Sequence, residues 1–337
     1  MNDQPELQET PERPAGILTC LITGFEVIAH QPQLALLPIL LDLYLWLGPR
    51  LSLAPLIAQI RSLLATAPTP EAAPLYQSAN QFLDLIAEEY NYFSLLNFGP
   101  LVGVPSLMSL RMTLERPFGS RPEIPVPDAG IALGWAAVLL VIGLGLAAVY
   151  LWQIGLRVSQ ETEVPIPGPL SPGKLWGYLM QLMALLLSAF FVLSFPASLL
   201  ISTLTLANMN LAGAAMTMLF SIALFILLHG LYVIPGMVQL RQAPFPAIRD
   251  SIILARLDFL GTLGLIAVMI IVAQGLNFVW SLPDASSWAT VVGIVGHALV
   301  STALTATLFV FYQERLVYLQ TLRHAYAANA ARSHADM

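Results

Sequence analysis

The chain has 337 residues, of which 57% are hydrophobic and 10% are charged, and it carries a net charge of −6 and one cysteine. A soluble domain has about 25% charged residues, so this composition excludes a soluble globule and predicts that lipid surrounds much of the chain. The single cysteine, Cys20, excludes an intramolecular disulfide and a cysteine-based metal cage. The scattered arginines form no basic cluster of the kind that binds nucleic acid.

The first membrane unit is predicted over residues 15–50, after a polar and acidic tail at residues 1–14. Residues 16–30 are predicted to form an amphipathic helix at one interface. A break at Pro32 separates this helix from a short crossing over residues 33–47. The break is needed because one straight helix of this length would overshoot the bilayer.

Asp42 lies inside this short crossing, where an ionisable side chain is costly and is normally paired or functional. We expect its carboxylate to pair with Arg50 or with a helix terminus. The alternative is that Asp42 lines a polar pathway through the bundle.

An external helical cap is predicted over residues 51–128. Apolar residues recur at helical spacing within residues 71–93, and this pattern predicts a helix whose Phe82 and Ile86 face the bundle. Residues 92–110 are uncharged but are interrupted by glycines and prolines. We interpret this stretch as re-entrant or surface-lying, with a seventh span as the alternative.

Five later segments are long and apolar enough to cross a hydrocarbon core of about 30 Å, which takes roughly 20 residues of helix. They cover residues 129–152, 175–204, 211–240, 257–282 and 288–312. This five-span bundle over residues 129–312 is followed by a cytoplasmic C-terminal helix and tail at residues 313–337. The sequence therefore predicts an all-α fold: a polytopic transmembrane helix bundle with about six spans, interfacial amphipathic helices and a small external helical cap.

The basic residues are distributed unevenly between the two sides of the predicted bundle. One side holds Arg13, Arg157, Lys174, Arg241, Arg249, Arg256, Arg315, Arg323 and Arg332. The other side holds Arg50, Arg61, Arg111, Arg116 and Arg121, all in the long connection that contains the cap. Because basic loops stay in the cytoplasm, this distribution predicts a multi-pass protein of the bacterial cytoplasmic (inner) membrane with both termini cytoplasmic.

Two histidines, His229 and His297, lie inside predicted spans and are the candidates for cofactor binding. Imidazole could ligate a haem or a chlorin, and Gly293, one turn before His297, would leave room for a flat macrocycle. We expect instead that each histidine is packed in the bundle and hydrogen-bonded to a neighbouring helix. The sequence therefore predicts no cofactor and no metal site.

Arg249 and Arg256 are the candidates for binding lipid headgroups. They lie seven residues apart in an amphipathic stretch, residues 245–258, and so share one helix face. Two arginines on one face could hold lipid phosphates. A simple anchor at the cytoplasmic surface explains the same two residues.

Motifs of catalysis and nucleotide binding are absent from the sequence, which has no Walker loop, no HExxH, no GxSxG and no paired intramembrane carboxylates. We therefore expect no enzymatic activity and no catalytic residues. The leading hypothesis is a non-enzymatic membrane scaffold or accessory subunit of a membrane complex, whose partners are the lipid bilayer and other membrane protein subunits, with no nucleic acid. The alternatives are a permease or lipid-handling protein with a cavity between spans, and a haem- or chlorin-binding membrane subunit.

Two stretches carry a resemblance to known proteins: Ala-Pro-Phe-Pro-Ala-Ile-Arg-Asp-Ser at residues 243–251 and Phe-Tyr-Gln-Glu-Arg-Leu at residues 311–316. Through them the C-terminal third of the chain resembles bacterial multi-pass membrane proteins akin to the membrane domain of glycerophosphoryl diester phosphodiesterases. No catalytic domain accompanies these stretches here. The resemblance therefore implies a helical membrane module and no activity.

The predicted orientation can be tested with reporter fusions after Met337 and within residues 68–74. We expect a cytoplasmic signal from the first fusion and a periplasmic signal from the second, because the basic loops remain in the cytoplasm. A periplasmic signal from the C-terminal fusion would contradict the predicted topology.

Overall fold

The computed structural model describes residues 14–64, 73–97, 102–109, 111, 115–119, 121–162, 164, 167–207 and 209–335, so most of the predicted polar tail at residues 1–14 lies outside it. The helices are α1 (Ile17–His30), α2 (Leu36–Leu47), α3 (Ala54–Leu64), α4 (Ala73–Glu89), α5 (Ala129–Glu161), α6 (Pro172–Ala207), α7 (Met209–Gly230), α8 (Val233–Gln239), α9 (Pro244–Leu257), α10 (Phe259–Trp280) and α11 (Thr290–Ala335). Short 3-10 turns cover Pro32–Ala35 and Tyr92–Leu96. Two short strands, β1 (Arg50–Ser52) and β2 (Glu123–Pro125), pair in parallel. The fold is all-α, as predicted.

Five helical stretches in the described part of the chain are long and apolar enough to cross a membrane: α5, α6, α7 continued by α8, α10 and α11. The protein is therefore a multi-pass membrane protein. All five begin within three residues of the predicted segments. α5 and α11 continue past the predicted ends at residues 152 and 312, because good helix formers follow each apolar run.

The first membrane unit is the broken pair α1–α2, interrupted at Gln31 and Pro32 as predicted. At one end of the pair, the backbone N–H of Ala15 donates to the carboxylate of Glu314 at 3.0 Å. At the other end, the indole of Trp46 packs edge-on against Trp288, with ring centroids 5.8 Å apart. Glu314 and Thr290, where α11 begins beside Trp288, are about 36 Å apart along the helix at 1.5 Å per residue. The α1–α2 unit therefore extends along the apolar length of α11, although α1 and α2 are each shorter than the five stretches that are long enough to cross a membrane.

α1 packs closely on α11 because its buried face carries a glycine. A Cβ on Gly24 would lie 2.6 Å from the backbone nitrogen and 2.8 Å from the Cα of Thr307. Small residues at such positions let two helix backbones approach within a membrane, where packing replaces the hydrophobic effect as the source of stability. Cys20, Val27 and Ile28 complete the buried face of α1.

Arg315 joins α1, α10 and α11 at the end of the bundle where α1 begins. Its guanidinium, 3% exposed, forms an ion pair with Asp258 at 3.0 Å and donates to the carbonyl of Ala15 at 2.7 Å. It also lies over the ring of Phe311, 3.3 Å from the centroid. Asp258 in turn caps α10, since its side chain accepts from the backbone of Gly261 at 3.0 Å. A buried charge is thus fully paired.

The external cap is held to the bundle by the buried side chain of Arg50. Its guanidinium donates to the carbonyl of Ala87 at 2.5 Å and to the carbonyl of Tyr90 at 3.2 Å, both at the C-terminal end of α4. It also forms an ion pair with Glu123 of β2 at 3.0 Å. One arginine therefore connects α4 with both strands.

The prediction that Phe82 faces the bundle is wrong, since this side chain is 59% exposed, although Ile86 is half-buried. Arg50 fixes the end of α4, and Arg61 of α3 forms an ion pair with Asp84. Polar contacts therefore also hold α4, besides its apolar stripe. The periodicity of apolar residues in the sequence does not reveal such polar contacts.

Arg121 caps the C-terminal end of α2. Its guanidinium donates to the carbonyl of Gly48 at 3.0 Å and to the carbonyl of Trp46 at 3.2 Å. The last carbonyls of a helix lack intrahelical donors and attract cations. Burial, aided by repulsion from Arg116 and Arg50, lowers the pKa of Arg121 to about 10. The guanidinium therefore remains charged at neutral pH.

Replacing Gly24 with alanine should lower the stability of the detergent-solubilised protein by about 1–3 kcal/mol, because the new Cβ overpacks the contact with Thr307. Alanine has a better helix propensity than glycine, which alone would raise the stability. A measured loss of stability would therefore come from the contact with Thr307. Gly213→Ala is the matched control, since a Cβ there meets open space. Equal unfolding temperatures for the two variants would contradict the assigned α1–α11 packing.

Candidate functional site

A cavity of about 400 Å³, partly open to the surface, lies between α7, α10 and α11 and beside residues 97 and 105–106. Most of its lining is apolar. The lining includes a smaller set of neutral polar side chains: Asn97, Ser106, Gln274, Asn277, His297, Ser301 and Thr305. An apolar cavity with a few polar groups is the usual form of a small-molecule site, so we take it as the candidate functional site.

α10 and α11 supply most of the cavity walls. The lining positions on α10 are 266, 269, 270, 273, 274 and 277, and those on α11 are 297, 301, 304 and 305. Residues three and four apart share one helix face, so each helix presents a single continuous side. Leu227 and Leu231, at the end of α7, cover part of the space between them.

An irregular segment forms the remaining wall, and we call residues 92–97 and 102–109 the inserted segment. Tyr92 donates from its hydroxyl to the carbonyl of Ala132 at 3.2 Å. Further along, a Cβ on Gly143 would lie 2.5 Å from the carbonyl oxygen of Leu96, so glycine is required for this approach. Ala132 and Gly143 are about 16 Å apart along α5 at 1.5 Å per residue. The segment therefore descends along α5, and its described part contains no helix long enough for a seventh span.

Asp42 holds the inserted segment in place. Its side chain is fully buried, and its carboxylate accepts from the backbone N–H of Leu107 at 2.9 Å and of Met108 at 3.0 Å, and from the hydroxyl of Ser106. The expected pairing with Arg50 is wrong, because Arg50 binds the cap. Non-helical backbone inside a membrane must find internal partners, and Asp42 provides them for this turn.

His297 lies on the cavity wall with its hydrogen-bonding capacity half used. Its Nε2 lies 3.2 Å from the hydroxyl of Ser301, one turn along the same helix. Its Nδ1 is buried and has no hydrogen-bond partner among the described residues. The Oδ1 of Asn277, on the facing helix, is buried and likewise without a described partner. Two polar groups, one on each of these helices, are thus left partly unpaired.

The other predicted cofactor residue, His229, is not among the residues that line this cavity. It is buried near the end of α7, where its Nδ1 lies 2.9 Å from the carbonyl oxygen of Phe225. Its ring lies against that of Phe225, with centroids 3.9 Å apart. The described residues contain no group of three or more histidine, cysteine, aspartate or glutamate side chains that could hold a metal ion.

Arg249 and Arg256 are both exposed on α9, the helix that precedes α10. Arg249 forms an ion pair with its neighbour Asp250 at 3.1 Å. The buried face of α9 includes Ala247, Leu254 and Ala255. The two arginines remain candidates for contact with lipid headgroups, away from the cavity.

Comparison with known proteins adds no assignment. No family model matches the chain, and no curated protein or solved structure is similar to it. Any function for the cavity must therefore be argued from its own residues.

Asp42→Ala should destabilise the protein by about 1–3 kcal/mol for each buried backbone N–H that it leaves unpaired. Asp42→Asn keeps one acceptor oxygen and should lose less. Unfolding in detergent measures both, with Asp84→Ala as the control, because that carboxylate belongs to a half-exposed ion pair worth at most about 1 kcal/mol. If Asp42→Ala unfolds like Asp84→Ala, then Asp42 does not hold the inserted segment.

Proposed function

We propose that this membrane protein binds an amphiphile in the cavity between α7, α10 and α11 and acts as a lipid-handling protein without enzymatic activity. The observation that carries the proposal is the cavity itself, about 400 Å³ with a mainly apolar lining. Ligand pockets of about 300–1,000 Å³ are typical of small-molecule sites. On the sequence alone, a scaffold is the leading hypothesis and a permease or lipid-handling protein is an alternative. The cavity makes lipid handling the better-supported of the two.

The polar groups of the lining are what would make such binding selective. An acyl chain gains little by leaving one apolar medium, the bilayer, for another. Affinity must therefore come from shape and from hydrogen bonds to the headgroup. Asn277 on α10 and His297 on α11 line the cavity and carry groups that can form such bonds.

A scaffold or accessory subunit is the second candidate, favoured by the exposed surface of α6 and α7. Aromatic side chains stand outward along this hairpin, including Phe195 on α6, which is 74% exposed. Another membrane subunit packed on this surface would support the scaffold hypothesis. The proposed setting, in both cases, is the bacterial cytoplasmic membrane with both termini cytoplasmic.

A pigment-binding subunit is the third candidate and is simple to test. Purified protein with a bound haem or chlorin would absorb visible light. His297→Leu would then abolish the absorbance if His297 were a ligand. A colourless protein would remove this candidate.

Filling the cavity should remove the bound amphiphile. Ala273 lines the cavity, whereas Ala267 lies on the same helix, is exposed and is not among the lining residues. We expect native mass spectrometry of protein extracted in polymer nanodiscs to find an amphiphile retained by wild type and by Ala267→Phe, and lost from Ala273→Phe.

Equal retention by both variants would contradict binding in the cavity. A stoichiometric protein partner without a retained amphiphile would favour the scaffold instead.

A further inference from the structure

The geometry points to an uncharged lipid with a hydroxyl-bearing headgroup as the ligand of the cavity, an inference that rests on the proposed function and specifies its substrate class. The headgroup would lie between His297 on α11 and Asn277 on α10. Both residues line the cavity and both keep an unpaired side-chain atom among the described residues.

The charge of the lining excludes an ionised headgroup. No aspartate, glutamate, lysine or arginine is found among the described residues that line the cavity. Asp42, whose carboxylate contacts the lining residue Ser106, is already occupied by that hydroxyl and by two backbone donors. A phosphate or carboxylate would therefore lose its hydration without gaining a counter-charge, which is strongly unfavourable in an apolar site.

The unpaired atoms favour a headgroup that both donates and accepts. A neutral imidazole has one donor and one acceptor nitrogen, and the hydroxyl of Ser301 uses only one of them. The amide of Asn277 offers an acceptor oxygen and donor hydrogens. A hydroxyl can donate to one of these groups and accept from the other. A ketone or quinone oxygen can only accept, and so would leave the acceptor Oδ1 of Asn277 unpaired.

Access to these atoms requires a small side-chain movement. The Nδ1 of His297 and the Oδ1 of Asn277 are both covered by neighbouring groups. The last torsions of histidine and asparagine are broad, so rotation of the ring or the amide can present either atom to the cavity. The ligand would then replace apolar contact with a hydrogen bond on each wall.

The test uses the full-length protein in nanodiscs and three photoreactive probes that share one acyl chain with a diazirine near its end. Their headgroups are a glycerol monoester, a free carboxylate and a phosphate monoester. Crosslinked peptides are located by mass spectrometry. We expect the glycerol ester to label α10 and α11 at least about five-fold more than either anion, because the lining offers an ionised headgroup no counter-charge.

Two variants of His297 separate a specific contact from general packing. His297→Leu should reduce labelling by the glycerol ester about five-fold, as the loss of one net hydrogen bond would give, whereas His297→Gln, which keeps a hydrogen-bonding group, should retain most of it. Equal labelling of the cavity by all three probes, or a preference for an anion, would overturn the headgroup assignment while leaving amphiphile binding intact. Absence of labelling at α10 and α11 by every probe would overturn the proposed function itself.

Discussion

The hydrogen bonds of one buried carboxylate hold non-helical backbone inside a bundle of helices. Lipid offers no hydrogen-bond partners, so the turn at residues 106–109 can lie inside the bundle only if the protein supplies such partners. Asp42 accepts from Ser106, Leu107 and Met108, and α2 carries Asp42 into the bundle. With the turn fixed, Pro105 and Ser106 become one wall of the cavity. The shape of the candidate site therefore depends on this interaction.

The position of α2, and hence of Asp42, is set by packing against α11. Gly24 lets α1 approach Thr307, Arg315 binds the start of α1, and Trp46 donates to the carbonyl of Ala285 at 2.9 Å beyond the end of α2. The first membrane unit is thus held by Arg315 at one end, by Trp46 at the other end and by the close contact at Gly24 in the middle. Gly143 of α5 completes the arrangement, because it admits the carbonyl of Leu96 where any side chain would exclude it.

The membrane architecture could be predicted from the sequence, because long apolar runs have few stable forms other than spanning helices. The break at Pro32 followed from proline chemistry in the same way. The outward position of Phe82 could not be predicted from the apolar spacing of α4, which contains no information on the contacts that Arg50 and Arg61 make with this helix from elsewhere in the chain. The partner of Asp42 and the cavity could not be predicted either. Both depend on the position that the irregular inserted segment takes between the helices. The sequence identifies His297 as an intramembrane histidine, but it does not reveal that His297 and Asn277 line the same cavity.

The central claim is that the space between α10 and α11 is a binding site for a lipid-like molecule. An experimental density map of the protein in nanodiscs of native lipid tests it most directly. We predict elongated density in the cavity, with its polar end within hydrogen-bonding distance of His297 or Asn277. A map in which α7 closes onto α10, so that protein side chains fill this space, would contradict it.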